Sequence, residues 1–498
     1  ANVGYYKLNN TDTEYGTGKA VTKVLGGYIN SVYGGSNTLG NIRGGTTVNT
    51  KDNTLDGECA LNAGHVYRGG SHADMTGGAD IVLGCMPNDW IGEIYAGAES
   101  ADVGNDVSLT ITSGKFGRVF GGNKTSGKIE GGITVNIEED GNCDVPIVIG
   151  ELYGGGNLAP YSIYGYKQDG TLRTKEEYAS MSDEDKAKEG ILSGPHRSPL
   201  VNVFAFTSIG NIFGGGYGEG AVMIGDPVVN INEVMVVRES YVDYNPDSDT
   251  NKPDIIDGTN VTLYPHTANT IGVIGNVFGG GNAAKVIGST HVNVVTGDSQ
   301  HNVGSQLKVR FESTGVTHNV EGADIRGSIY GGGNLADVTE NTIVTINGGT
   351  IAGNVFGGGK GQADNFTCDK AMVGDVDSGE GQPLDGANAD NGTHVTISAG
   401  TVNGSVYGGG EVGRVEWNTQ VTIGAATGTS GAQSAPVIVG NVFGAGKGLE
   451  THGYSALVRG NSTLTVQGNA WVKGNVYGGG EKASAGRYYV KGFGVVGE

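Results

Sequence analysis

Three tyrosines crowd one short stretch, Tyr161, Tyr164 and Tyr166 in the segment PYSIYGYKQDG. Flat aromatic faces stack well on sugar rings while neighbouring polar groups fix their hydroxyls. These three are therefore the candidate residues for binding a glycan or another surface ligand without turnover. Pinning the segment to the body of the protein is the other role they can fill. A second set lies further on, where Asp247, Asp249 and Asn251 read D-x-D-x-N, with Asp254 and Asp257 close behind. Alternating oxygen ligands suit calcium. The glycine and glutamate of an EF-hand are missing, with Lys252 and Gly258 in their places. Calcium is thus the one cofactor the sequence suggests, and a solvated acidic loop is the alternative.

Material for catalysis is thinner. Cleaving a polysaccharide needs two or three convergent carboxylates, or a basic residue beside a metal. Asp324 and Glu416 stand alone in the sequence, and His65, His291 and His394 are scattered. No residue is assigned a catalytic role. The G-x-G runs lack a following helix and a P-loop lysine, which excludes a phosphate cradle.

What must position these residues is a repeat. One phrase returns from end to end: a small or polar residue, an aliphatic, an aromatic, then glycines, as in GNVFGGG, GSIYGGG and GSVYGGG. The aromatic falls at Tyr33, Tyr67, Tyr95, Phe120, Tyr153, Phe213, Phe278, Tyr330, Phe356, Tyr407, Phe443 and Tyr477. Between these phrases lies a strand of apolar-polar-apolar form, such as Val344-Thr345-Ile346 and Val395-Thr396-Ile397. Period-two patterning with one buried face makes this an all-β chain. The shortest intervals, near 26 residues, are too small for a propeller blade and fit one coil of a solenoid. Glycine at the corners takes positive φ and lets backbones approach closely. Tyrosine and phenylalanine alternate freely in the aromatic row, which points to ring stacking with little use of the hydroxyl. The row reads either as a ladder tucked under the glycine corners or as an exposed platform. The Thr or Asn between the apolar pair should face outward as a hydrated, self-satisfying polar ladder.

The repeat VTINGGTIAGNVFGGG, with variable loops between copies, resembles the pectin-lyase-like right-handed parallel β-helix superfamily. It also closely resembles the glycine-rich, adhesin-like surface proteins of gut bacteria. The resemblance covers nearly the whole chain and implies a single-stranded right-handed parallel β-helix, a β-solenoid of about 12–14 coils. The function it implies is a secreted or bacterial cell-surface rod in adhesion or structural presentation; the alternatives within the superfamily are a polysaccharide lyase or hydrolase and a phage-type spike.

Residues 1–27 read as a cap or lead-in, 28–490 as the repeat domain and 491–498 as a tail, thin enough to suggest one piece of a longer protein. Four insertions interrupt the repeat, at about 157–200, 234–271, 360–393 and 424–436. In the first, Thr174 and Glu177 form a capping box and Ser182 opens a second short helix. Cys59 and Cys85 lie about one coil apart and are expected to face each other as a disulfide. The 498 residues include 94 glycines, and 31 basic against 52 acidic residues leave a net charge of −21. Such a surface disfavours nucleic acid and anionic membranes. No run is long and apolar enough to span a membrane. Oligomeric state is left open.

Overall fold

The computed structural model describes residues 5–8, 11–14 and 18–486, the last range without 41, 51–59, 86–88, 140–142, 144, 190–195, 236–262, 264–269, 297–301, 304–305, 309–316, 364–366, 375–390 and 426–434. The chain is almost entirely β. Apart from two small antiparallel sheets, Tyr5–Leu8 with Thr11–Glu14 and Gln306–Lys308 between Asn302–Val303 and Thr317–Asn319, its strands fall into three rows, and within each row a strand pairs in parallel with its counterpart in the next repeat.

The first row ends on the recurring aromatic: Leu61–Tyr67, Trp90–Tyr95, Gly114–Phe120, Ile147–Tyr153, Ser208–Phe213 and Val273–Phe278 pair in turn. Beyond these the row continues as two-residue strands from Ile329–Tyr330 to Val476–Tyr477. The second row carries the apolar-polar-apolar pattern, from Val107–Ile111 through Thr342–Ile351 and Gly392–Val402 to Ser462–Val466. The third follows the glycine corner. Tyr161–Ser162, Met223–Ile224 and Val286–Ile287 pair in parallel, and single bridges carry the row on through Val338, Val373, Val415 and Val458. Parallel pairing already begins at Ala20–Lys23 against Thr46–Asn49, inside the segment read as a lead-in.

Alternation then sorts the side chains. Val344 and Ile346 are fully buried, and the aliphatic before the aromatic is buried from Val32 to Val442, Ile94, Val119, Leu152, Ile212 and Val277 among them; all belong to one continuous core, and only Val476 of the last repeat is exposed. Each such burial contributes roughly 1.5–3 kcal/mol, which makes this core the main stabiliser. The aromatic points to the opposite face, yet from Tyr67 to Phe443 it too is buried, in a column of its own; Tyr33 is half-buried and Tyr477 exposed. From Tyr33 to Tyr477 successive rings stack with centroids 4.7–5.0 Å apart and planes within 13°. The row is a buried ladder, not an exposed platform.

Glycine makes the corner passable. A Cβ on Gly331 would stand 2.2 Å from the carbonyl oxygen of Gly357 in the next repeat, so no side chain fits there. The roof over the rings comes from further along. Tyr33 and Tyr330 donate to Glu99 and Glu411 at 2.6 Å, Tyr407 donates to Glu481, and the Asn157 amide donates to the Tyr95 hydroxyl at 3.0 Å. In every case the partner is the fourth residue after the aromatic two repeats on. The same position places Lys124 over Tyr67 at 5.8 Å and Tyr217 edge-on to Phe120 at 6.5 Å. Every glutamate at this position meets a tyrosine, so at Tyr33, Tyr95, Tyr330 and Tyr407 the hydroxyl is used and phenylalanine is not its equal, whereas the buried hydroxyls of Tyr67 and Tyr153 have no hydrogen-bond partner among the described residues.

The polar ladder of the second row is self-satisfying where asparagine occupies it, while Thr396 is exposed. Asn202, Asn230 and Asn293 each donate to the preceding asparagine, beginning at Asn136, at 2.9 Å, and Asn202 and Asn230 are buried. Their amides satisfy one another rather than water.

Candidate functional site

The three tyrosines do not form an exposed cluster. Tyr161 lies in the third row and is 2% exposed, its hydroxyl donating to the Gly131 carbonyl at 2.9 Å. The insertion therefore starts after Ile163, not at 157, and Tyr161 is a core residue of the stack. Tyr166 is buried as well; its hydroxyl accepts from Ile129 N–H and donates to Pro160 O, each at 3.3 Å. Half-buried Tyr164 lies against Tyr178 with centroids 5.5 Å apart. Tyr161 and Tyr166 thus fill the pinning role, and a sugar platform of three exposed rings is not what this segment presents.

Two short helices complete the insertion, as the sequence indicated. The first is Lys175–Ser180, whose N-cap Thr174 and Glu177 make the reciprocal capping box. The second is Asp183–Lys188, with the Ser182 hydroxyl accepting from Asp185 N–H at 3.1 Å. Arg173 holds the assembly together. It is 2% exposed, its guanidinium pairs with Glu189 and donates to Tyr164 O at 3.4 Å, and its own carbonyl accepts from the buried Ser162 hydroxyl at 2.7 Å.

Between this insertion and the flank of the stack runs a cleft of about 500 Å³. Its inner wall is the third row. Ile129 points into the core, so Lys128 and Glu130 on either side of it project outward and line the cleft. Its outer wall carries Lys167, Gln168, Lys188, Glu189 and His196, with the Lys128 ammonium 5.8 Å from the Tyr166 ring. Burial pushes the Glu130 carboxyl up, against the opposing pull of Lys128. Burial also lowers the His196 imidazole, against the pull of Asp106, so the ring is neutral near pH 7. A concave site with convergent polar groups on a rigid scaffold is where ligand binding concentrates.

A second polar constellation escaped the sequence reading. The residue two before each aromatic is Asn or Ser in most repeats, but His65, Glu93, Arg118 and Glu151 occupy that position on four consecutive ones and stand in register. His65 lies 3.4 Å from Glu93, and Arg118 lies 3.1 Å from both Glu93 and Glu151. Tyr95 donates to Glu93 at 2.6 Å. Burial pushes the Glu93 carboxyl up, but His65, Tyr95 and Arg118 outweigh it and hold it down at about 2. A carboxylate so held is a poor proton acceptor, so the row is a staple across strands rather than acid-base machinery. Comparing residues two before each aromatic would have found it. Nor are the acids that looked isolated alone: Glu416 is buried between Arg414 and Arg459 at 3.3 and 2.8 Å, and Asp324 pairs with Arg326 at 2.6 Å.

The disulfide joins Cys85 to Cys143, with Cα atoms 5.6 Å apart, and not to Cys59, which lies outside the described residues. The intervening repeat turns tightly at Ser113 and Gly114, the latter at φ 105°, and so leaves the two longer corners on either side free to meet. The calcium candidates Asp247, Asp249, Asn251, Asp254 and Asp257 also lie outside the described residues. Among the described residues no group of three or more His, Cys, Asp or Glu is arranged to hold a metal ion, and no helix is long and apolar enough to cross a membrane. No protein-family model, no curated protein and no solved structure matches the chain.

Proposed function

We propose that the chain is a single-stranded right-handed parallel β-helix, a secreted or cell-surface rod that acts in adhesion or structural presentation and binds glycans without turnover. The observation that carries this reading is the ring column, one aromatic per repeat stacked at 4.7–5.0 Å from Tyr33 to Tyr477. One ring per repeat at the strand spacing is the pattern a single chain makes when wound into coils. Twelve such coils give a rod roughly 50 Å long, by eleven steps of about 4.8 Å.

The Cys85–Cys143 disulfide supports an oxidising, extracellular setting. Recognition is assigned to the insertion, because a loop presented by a rigid scaffold is free to vary without disturbing the core. A second reading, a polysaccharide-cleaving enzyme, is favoured by Glu130 and Glu189 lining one cleft. A glycan array followed by product analysis on every hit tests the proposal. Binding with intact product supports the rod; new reducing or unsaturated sugar ends overturn it in favour of the enzyme.

A further inference from the structure

We infer that the cleft between the insertion and the third strand row is a binding site for an uncharged oligosaccharide; this deepens the glycan-binding reading and rests on it. The cleft's volume of about 500 Å³ falls in the range of small-ligand sites, with room for a short glycan segment and none for a folded partner.

Charge bookkeeping selects the class. Three ammonium groups and two carboxylates line the cleft. Lys167 is taken by Glu177 at 2.9 Å, Lys188 by Glu184 at 2.8 Å, and Glu189 by Arg173. That leaves Lys128 facing Glu130, one charge of each sign, so the cleft is close to neutral in a protein of net charge −21. An anionic sugar entering here meets the Glu130 and Glu189 carboxylates, and a cationic one meets three lysines. Neither gains a net opposite charge in return.

Hydroxyls are served better. Each sugar hydroxyl both donates and accepts, and the cleft offers donors in Lys128, acceptors in Glu130, and both together in Gln168 and the neutral His196 imidazole. The buried Tyr166 ring also borders the cleft, with the Lys128 ammonium 5.8 Å from its centroid.

The test uses the full chain in isothermal titration calorimetry. The probes are neutral trisaccharides of glucose, galactose and mannose, each beside its uronate and sulfated counterpart. The expected result is binding of at least one neutral probe, with Kd changing less than about twofold between 0.05 and 0.5 M salt, because no net charge is neutralised. Glu130→Ala and Gln168→Ala should each weaken it by about three- to tenfold, the loss of one hydrogen bond. Circular dichroism confirms that both variants fold. Stronger binding of a uronate or sulfated probe overturns the uncharged class and leaves glycan binding standing. Neutral binding untouched by either substitution overturns the location. Binding of no probe overturns both readings.

Discussion

Removing the hydroxyl of Tyr330 isolates the roof bond from everything else the ring does. Phenylalanine already occupies the neighbouring positions of the column, Phe278 and Phe356, stacked on Tyr330 at 4.7 and 5.0 Å, so Tyr330→Phe keeps the stack. Burial first, then Glu411, holds the Tyr330 hydroxyl well above its ordinary range, so it stays protonated and donates to the Glu411 carboxylate at 2.6 Å. Hydrogen bonds to a charged partner contribute about 1.5–3 kcal/mol. Glu411 is 24% exposed at its side chain and keeps Lys447 at 2.9 Å, which places the loss at the low end, about 1.5 kcal/mol. A repeat array has no single unfolding free energy, so the assay is local: hydrogen exchange at 327–335 and 405–413 in wild type, Tyr330→Phe, Glu411→Gln and the double variant. The single tyrosine change should cut protection by about tenfold, and the cycle should return a coupling of about 1 kcal/mol. A coupling indistinguishable from zero would mean that the two-repeat roof is geometry without energy, and the reasoning fails. Phe356→Tyr is the control. The residue two repeats on from it is Lys447, whose ammonium is already paired with Glu411 at 2.9 Å, so little protection should be gained.

Corner glycines should differ by position: Gly331→Ala drives a Cβ to 2.2 Å from Gly357 O and should cost roughly 3 kcal/mol or more, whereas Gly478→Ala meets nothing within 4 Å and should stay within about 0.5 kcal/mol, both read by hydrogen exchange in the repeats on either side. Reducing Cys85–Cys143 opens a 58-residue loop and should cost up to about 4 kcal/mol, visible as lost protection in the early repeats; unchanged exchange with reductant would count against it. Glu233 is fully buried and burial drives its carboxyl well above the ordinary range, outweighing the opposing hydrogen bond from Asp324 N–H. The folded state therefore holds that proton to higher pH than the unfolded chain does. The stability it contributes is complete below the ordinary carboxyl pKa and is lost as pH rises through the folded value. Glu233→Gln should remove that loss, so the urea midpoint of the variant should exceed wild type by a margin that widens from pH 5 to pH 8; parallel midpoints would refute it.

Much of the scaffold is legible from residue types because the repeat restates it twelve times. The ring column follows from one position always aromatic, and the core from an aliphatic always before it. Thr174 and Glu177 announce a helix start because capping is local. What the sequence hides is either short or distant. Tyr161–Ser162 is a two-residue strand with no period of its own, so Tyr161 reads as part of a loop although it packs as core. The Tyr33 to Glu99 bond spans 66 residues, and no local pattern links its ends. Cys59 and Cys85 have the spacing of one repeat, but the corner that meets Cys85 belongs to the repeat after next. The cleft depends on how an insertion folds back on Lys128 and Glu130, some forty residues earlier, which spacing alone does not disclose.

Where a repeat roofs the ring two places before it, the outside of the stack is shingled, with one direction of overlap. Peeling from the Tyr477 side lifts each shingle before the ring beneath it and wets an aromatic that its own repeat has not yet released. Peeling from the Tyr33 side removes the ring first and leaves only a glutamate or an asparagine without its hydroxyl. The two directions are therefore not mechanically equivalent. A tether pulled from the C-terminal side should yield in steps of more than one repeat, and one pulled from the N-terminal side in single repeats, a difference that force spectroscopy on the two attachments would read directly.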